Sequence, residues 1–328
     1  MISVIVATYN QEKTIGRTLD SILMQQCHQP IEIVIGEDCS TDGTLAICQS
    51  YAARYPQQIR ILANNPNKGM QDNYFDCLLA CKGTYIADCA GDDFWIDPLK
   101  LEKEVSIMEA DEHVTLVHTA WNYYDEENGK ATKAEVPYHF QEKTDGKELL
   151  SAIITQTRYP VIHLCTSLYR KDVIMKAYQE DTFLFRNKDF GCEDLQVACA
   201  AAHAGTIAYL PDVTLNYSVN HLSVSNTQDE EKQFEFVRKV TSLSYYLADK
   251  YHIENKAIDR YFSYRIFALA MHAFRAQNKT LRNNVRQYKQ QWNAQPTLPF
   301  RIVNTITGND ILWKGALLIR KLVLKFKK

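Results

Sequence analysis

Lys82-Gly83-Thr84-Tyr85-Ile86-Ala87 runs on into Gly91-Asp92-Asp93-Phe94-Trp95, a short apolar strand that terminates in two adjacent carboxylates beneath an aromatic pair. Three similar runs precede it, Ser3-Ala7, Glu32-Gly36 and Ile59-Ala63, and the fourth strand itself extends over Tyr85-Cys89. Between them Thr14-Met24, Thr41-Tyr55 and Gln71-Cys81 carry apolar residues at helical spacing, with Leu19, Ile22 and Leu23 on one face. The order βαβαβαβ predicts an α/β fold with a mostly parallel central sheet flanked by helices. In such sheets ligands sit beyond the carboxyl ends of the strands, so the loops Thr8-Asn10, Glu37-Ser40 and Ala90-Phe94 are expected to converge on one site.

Further along, residues 114–220 are less regular, and the polar stretch Asp125-Lys147 reads as a strand-poor mobile loop. After about Ser225 the pattern becomes helical, including Gln233-Lys250 and Ile258-Phe274. The chain therefore divides into a domain over residues 1–225 and an α-helical C-terminal extension over 226–328. Its last stretch, Ile311-Lys328, holds six Lys or Arg and no acid. Leu312, Leu318, Ile319, Leu322, Val323 and Phe326 project onto one arc, with Lys314, Lys321, Lys325 and Lys328 opposite. Two readings stand: a helix lying peripherally on an anionic membrane, and a packed terminal helix with a solvated basic face.

The composition excludes several classes. Hydrophobic residues at 46% and charged residues at 23% are those of a globular protein, against disorder and multi-pass membrane topology. A net charge of −2 leaves no overall footprint for nucleic acid. Nine cysteines without a CxxC pair suggest neither a disulfide framework nor a zinc ribbon, and fit a reducing cytoplasm. The opening Met1-Ala7 lacks the features of a signal peptide and is too short to span a bilayer.

The strand ends carry the chemistry. The first ends in Ala7-Thr8-Tyr9-Asn10 and the second in Glu37-Asp38, followed by Cys39-Ser40-Thr41-Asp42-Gly43-Thr44. A carboxylate such as Asp38 can accept the N3 proton of uracil, and free amides in the adjoining loop suit phosphate. Ser40, Thr41 and Asp42 read as helix caps. Two acids at a strand end would also fit a phospho-accepting receiver domain, but Asp92 and Asp93 decide against it. Hard oxygen ligands there suit Mg²⁺ or Mn²⁺ shared with substrate phosphates. Asp97-Pro98 reads as an N-cap with Pro at the first helical position.

The four motifs together, Val4-Asn10, Glu37-Thr44, Lys82-Ala87 and Gly91-Trp95, resemble family 2 glycosyltransferases of the GT-A nucleotide-diphospho-sugar transferase fold, over about residues 1–225. The resemblance implies an inverting transferase that uses a nucleotide-diphospho-sugar, commonly a UDP-sugar, with a divalent metal. It implies nucleotide contacts for Ala7, Thr8, Asn10, Asp38 and Asp92, and metal ligation by Asp93 and Asp92. The segment Phe190-Gly191-Cys192-Glu193-Asp194-Leu195 resembles the family's Glu-Asp motif, which makes Asp194 the expected catalytic base for the acceptor hydroxyl. His221 is the candidate metal-reaching histidine of a loop after Tyr217, one place from the aligned Asn220. Two positions depart from the family pattern: Ala90 where a first Asp is usual, and Asp72 where many relatives carry Arg before the residue matching Asn73. The acceptor implied is a glycan or lipid-linked oligosaccharide, in surface polysaccharide assembly. The alternative is a relative that binds nucleotide-sugar without catalysis, and Asp194 discriminates against it. A dinucleotide oxidoreductase lacks its GxGxxG after the first strand. A processive synthase lacks its Gln-x-x-Arg-Trp motif.

Overall fold

A computed structural model describes residues 1–134, 142–156, 162–219 and 229–325. The chain forms two compact units, Met1–Lys188 with Cys192–Asn220, and Asp189–Gly191 with His221–Lys328.

The first unit begins with β1 (Ile2–Thr8), α1 (Ile15–Leu23), β2 (Ile31–Glu37), α2 (Thr44–Arg54), β3 (Ile59–Ala63), α3 (Met70–Ala80) and β4 (Tyr85–Asp88), the alternation expected. β5 (Phe94–Trp95), α4 (Lys100–Ala110), β6 (Val114–Asp125), β7 (Lys130–Lys133), β8 (Lys143–Asp145) and α5 (Gly146–Thr155) follow. The unit closes with β9 (Ser167–Arg170), α6 (Lys171–Glu180), α7 (Thr182–Arg186), α8 (Asp194–Ala204) and β10 (Thr206–Val219). One sheet runs β3-β2-β1-β4-β9-β6-β10-β5, with β7 paired to β6 and β8 to β10. β1, β2, β3 and β4 are mutually parallel, β9 is antiparallel to both β4 and β6, and β6 and β10 are parallel. Ile2, Val4 and Val6 face a core with Ile15, Leu19 and Ile22 of α1 and Leu101, Val105 and Met108 of α4. α3 and α8 pack elsewhere on the strands, so β1 is covered on both faces and reads as a continuous apolar run.

The segment expected to be a strand-poor loop at Asp125-Lys147 carries β7 and β8. Asn122–Asp125 pair with Lys130–Lys133 across a tight turn at Gly129, whose φ of +68° suits glycine. Their polar composition hid them, because β7 is exposed along its length and shows no alternation. Residues 135–141 of that stretch lie outside the described ones. The expected cap at Asp97 also shifts: α4 starts at Lys100, while Asp97 Oδ1 accepts from the Leu99 amide at 2.9 Å.

Two features hold the region under the acid pair. Gly91 sits so close to β1 that an added Cβ would strike Gln11 and would lie 2.7 Å from Thr8 Oγ1. Lys100 and Glu104 form an ion pair of 2.7 Å with neither side chain exposed, and Lys100 Nζ is 4.7 Å from the Trp95 ring centroid.

The second unit is helical: α9 (Glu230–Lys250), α10 (Lys256–Ala276), α11 (Lys279–Gln291), α12 (Leu298–Ile306) and α13 (Asp310–Lys325). Asp229, Asn255, Asn278 and Thr297 cap the first four through side-chain acceptors. Phe274, Trp313 and Leu317 form a small core where α13 packs. Among the described residues no helix is long and apolar enough to cross a membrane.

Candidate active site

The loops after β1 and β2 are laced together. Asn10, at φ +54°, donates its amide to Ser40 Oγ at 3.0 Å and accepts the Thr41 amide on Oδ1 at 2.8 Å. Ser40 and Thr41 therefore join two loops rather than cap α2, which corrects the capping expectation for both. Asp42 does bind the helix start, accepting from the Thr44 amide at 3.0 Å. Thr8 is buried at the end of β1, and its carbonyl accepts the Asp38 amide at 3.1 Å. Ala7 contributes backbone, its carbonyl taking the Gly91 amide at 3.2 Å.

Asp38 is buried, and its carboxylate accepts Asn64 Nδ2 at 3.0 Å, the Lys68 amide at 2.8 Å and the Gly69 amide at 2.9 Å. These three bonds organise the 64–69 loop and leave about one lone pair for a ligand. That loop is part of the site and was missed from sequence; the signal was its Asn-Pro-Asn-Lys-Gly composition.

The acid loop is held from below by α1 and the residues leading into it. Thr14 Oγ1 donates to the Gly91 carbonyl at 2.8 Å, Arg17 Nη2 to the Asp92 carbonyl at 3.2 Å, and Thr18 Oγ1 to the Asp93 carbonyl at 2.7 Å. Ser21 Oγ accepts the Trp95 amide at 3.1 Å. Positions 14, 17, 18 and 21 form one helical stripe, so the period that revealed the apolar face also carried this polar one. Arg17 lies 4.0 Å over the Phe94 ring and pairs with Glu126. From β10, the Ser218 amide donates to Asp93 Oδ1 at 2.8 Å.

Asp93 is buried and Asp92 partly so. Burial raises both carboxyls above the usual range; Glu126 adds to this at Asp92, and Asp92 itself at Asp93. Asp194 opens α8, and burial, then Glu193, Asp88 and Asp93 in that order, push its carboxyl well up. The fold thus brings Asp194 into electrostatic reach of Asp93, though 101 positions separate them. Tyr217, raised by burial and then by Asp93, stands with them, and its ring is 5.0 Å from that of His163. His163 packs edge-on to Trp121, and burial lowers it to about 4, so it is a neutral imidazole near neutral pH.

Several acids with Arg17 as the adjacent cation leave negative charge uncompensated, which fits a hard divalent cation on Asp92 and Asp93 completed by phosphate oxygens. Ala90 contributes no ligand. The other departure, Asp72, meets Arg186 at 3.2 Å and Lys188 at 3.0 Å, so cationic side chains reach this position from α7 and the segment after it. His221 and Asn220 lie outside the described residues. A separate cluster, Cys27, His28 and Glu102, lies on the surface by α1 and α4 and is not part of these loops.

Asp88 is a buried acid the sequence reading left unassigned. Neither of its oxygens has a well-formed hydrogen bond among the described residues, and burial pushes it up to about 8, against the pull of Tyr74, Tyr169 and Lys100. The folded chain therefore holds a proton here that the unfolded chain releases near 4. Stability from this group falls as pH rises from about 4 to about 8. Asp88→Asn, which cannot ionise, is expected to match the parent near pH 4 and exceed it by a few kcal/mol, roughly, at pH 8.5. Urea denaturation at both pH values reads the difference.

The decisive comparison is with a family model: residues 3–177 match "Glycosyl transferase family 2". The chain belongs to this family. Its α/β architecture is also that of solved GT-A enzymes. A Staphylococcus aureus TarS 1–349 structure in complex with UDP-GlcNAc superposes with a TM-score of 0.57 at 16% identity, covering 93% of this chain and 90% of that one. The Pyrobaculum calidifontis mannosyltransferase PcManGT, in complex with GDP-Man and Mn²⁺, gives 0.56 at 17%, covering 97% and 86%. At such identities these likenesses show fold alone. Among sequence relatives of this family 2 member, the Escherichia coli UDP-Glc:alpha-D-GlcNAc-diphosphoundecaprenol beta-1,3-glucosyltransferase WfaP is 33% identical over 128 residues, 39% of this chain and 48% of that protein. An uncharacterized Mycobacterium tuberculosis protein is 42% identical over 114 residues, 35% of this chain. The chain spans only about a third of that relative's length, at 33%. The family match ends before Asp194.

Proposed function

We propose that the chain is an inverting glycosyltransferase. It moves a sugar from a nucleotide-diphospho-sugar, a UDP-sugar first, to a hydroxyl of a glycan or lipid-linked acceptor in surface polysaccharide assembly at the cytoplasmic side. The observation that carries this reading is the meeting of Asp92, Asp93 and Asp194 beside the loops that end β1 and β2. WfaP, a relative named for a UDP-Glc donor and a diphosphoundecaprenol acceptor, supports the donor and acceptor classes.

In this reading Asn10 and the 64–69 loop shape the nucleoside pocket, and Asp38 offers its remaining lone pair to the base. Mg²⁺ or Mn²⁺, held by Asp92 and Asp93, would supply charge neutralisation for the departing diphosphate. Arg17, Thr14 and Thr18 fix the backbone of that loop so that the two carboxylates keep their direction. Asp194 takes the proton of the acceptor hydroxyl as that oxygen attacks the anomeric carbon from the face opposite the diphosphate. Tyr217, half-buried and packed against the neutral His163, gives an aromatic face beside it on which a sugar ring can rest, while Trp121 is buried and packs edge-on to His163.

The test is donor turnover without acceptor, with Mn²⁺ and a panel of α-linked UDP- and GDP-sugars followed by proton NMR. Slow release of nucleoside diphosphate with the β-anomer formed first is expected. Release of the α-anomer would overturn inversion, and no release from any donor would count against transfer.

A further inference from the structure

The charge of the chain is unevenly placed. Residues 277–328 hold eleven Lys and Arg against a single acid, Asp310, so the other 276 residues sum to −12. Asp310 is itself paired with Lys279 at 2.7 Å. Within this stretch α13 has two apolar sides. One, Trp313 and Leu317, is buried, and Trp313 Nε1 donates to the Phe274 carbonyl at 2.9 Å. The other faces solvent: Ile311 is 81% exposed and Ile319 64%, with Leu312, Leu318, Leu322 and Val323 also exposed. At 100° per residue these six occupy the sector opposite Trp313 and Leu317, and the exposed cations Lys314 and Arg320 flank it. A packed terminal helix with a solvated basic face would turn this apolar sector inward; here it is left in water. α12 adds Leu298, 70% exposed, and Ile302.

Eight exposed large aliphatic side chains on two short helices are not the scattered singles of an ordinary surface. The same unit carries a cleft of about 440 Å³ between α11 and α12, lined by Arg286, Lys289 and Arg301 with Asn304 and Thr305, and no acid. A second copy of this chain is a poor occupant, since two such faces would oppose like charges. An anionic bilayer meets both demands, taking aliphatic side chains at the acyl boundary and cations at the phosphates.

We propose that α11–α13 form a docking surface for an anionic phospholipid bilayer, in which the outer aliphatic sector of α13 enters the headgroup–acyl boundary and Arg286, Lys289 and Arg301 receive headgroup phosphates. The inference does not depend on the donor chemistry of the other unit.

The experiment is flotation of the full chain with vesicles of phosphatidylglycerol and phosphatidylcholine, against phosphatidylcholine alone. The chain is expected to float with the anionic vesicles, to stay behind with the neutral ones, and to be released by high salt. Ile319→Glu with Leu322→Glu should lower partitioning by at least ~10-fold, since each burial lost carries more than a tenfold weight. Arg286→Gln, Lys289→Gln and Arg301→Gln together should lower it by roughly 100-fold, about fivefold for each cation. All five side chains are at the surface or in an open cleft, and an unchanged thermal midpoint confirms that each variant folds. A chain that ignores anionic vesicles, or aliphatic variants that float like the parent, would overturn the proposal. So would a dimer in light scattering that the aliphatic variants split, with no flotation, since that face would then be an interface between copies.

Discussion

Asp194→Asn is expected to cut sugar transfer by roughly 10²–10⁴-fold while donor binding stays within about twofold, because the change removes a proton acceptor and little else. Asn keeps the shape of the side chain at the start of α8, and the helix dipole there is worth only about 0.3–1 kcal/mol to the lost charge. A merely structural acid would show the reverse, a shifted melting point with turnover intact. The pH profile adds a second reading. Burial, with Glu193, Asp88 and Asp93 close by, raises the Asp194 carboxyl. The base must be ionised to work, so activity falls as pH drops through that raised value, and the acid limb of kcat/KM should lie above the ordinary carboxylate range. Steady-state kinetics with a matched donor and acceptor check both points.

The largest stability effect is expected at Lys100. Its ion pair with Glu104 has no solvent access, and the second Glu104 oxygen, Oε1, has no hydrogen-bond partner among the described residues. Burial raises Glu104 to about 7, with Lys100 holding it down from higher values. Lys100→Met leaves that carboxyl buried without its cation. A loss of about 3–5 kcal/mol is expected at neutral pH. Adding Glu104→Leu should recover most of it, because a buried pair exchanged for apolar groups of similar size is often neutral. Denaturation midpoints of the two variants decide this, and a single variant as stable as the parent would contradict the account.

The parallel half of the sheet was legible because β1, β2 and β4 are largely buried on both faces and the edge strand β3 still carries a short β-branched run, so period and composition agree from Ser3 to Cys89. β9 was not assigned, since Ser167–Arg170 is four residues long and joins β4 and β6 across large sequence separations. β7 and β8 were missed for want of any apolar alternation. At the site, the acids at strand ends could be named from sequence because the fold class puts those ends together. Arg17, Glu126 and Ser218 could not, since their partnership with the Asp92–Asp93 loop depends on which strand lies beside β5. Asp38 shows the converse. Its type and position were legible, but three of its bonds go to a loop whose path no local pattern states. The α13 helix was legible as amphipathic, and only its packing reveals which side meets the protein.

The central claim is that the loops ending β1, β2 and β4 form a metal-assisted site for a nucleoside diphosphate. Calorimetric titration of UDP into the full chain, with Mn²⁺ and again with EDTA, tests it most directly, alongside Asp92→Ala with Asp93→Ala. The account predicts UDP binding that needs Mn²⁺ and is lost in the double variant. UDP that fails to bind with Mn²⁺ present, or binds equally well in EDTA and in the double variant, would contradict it.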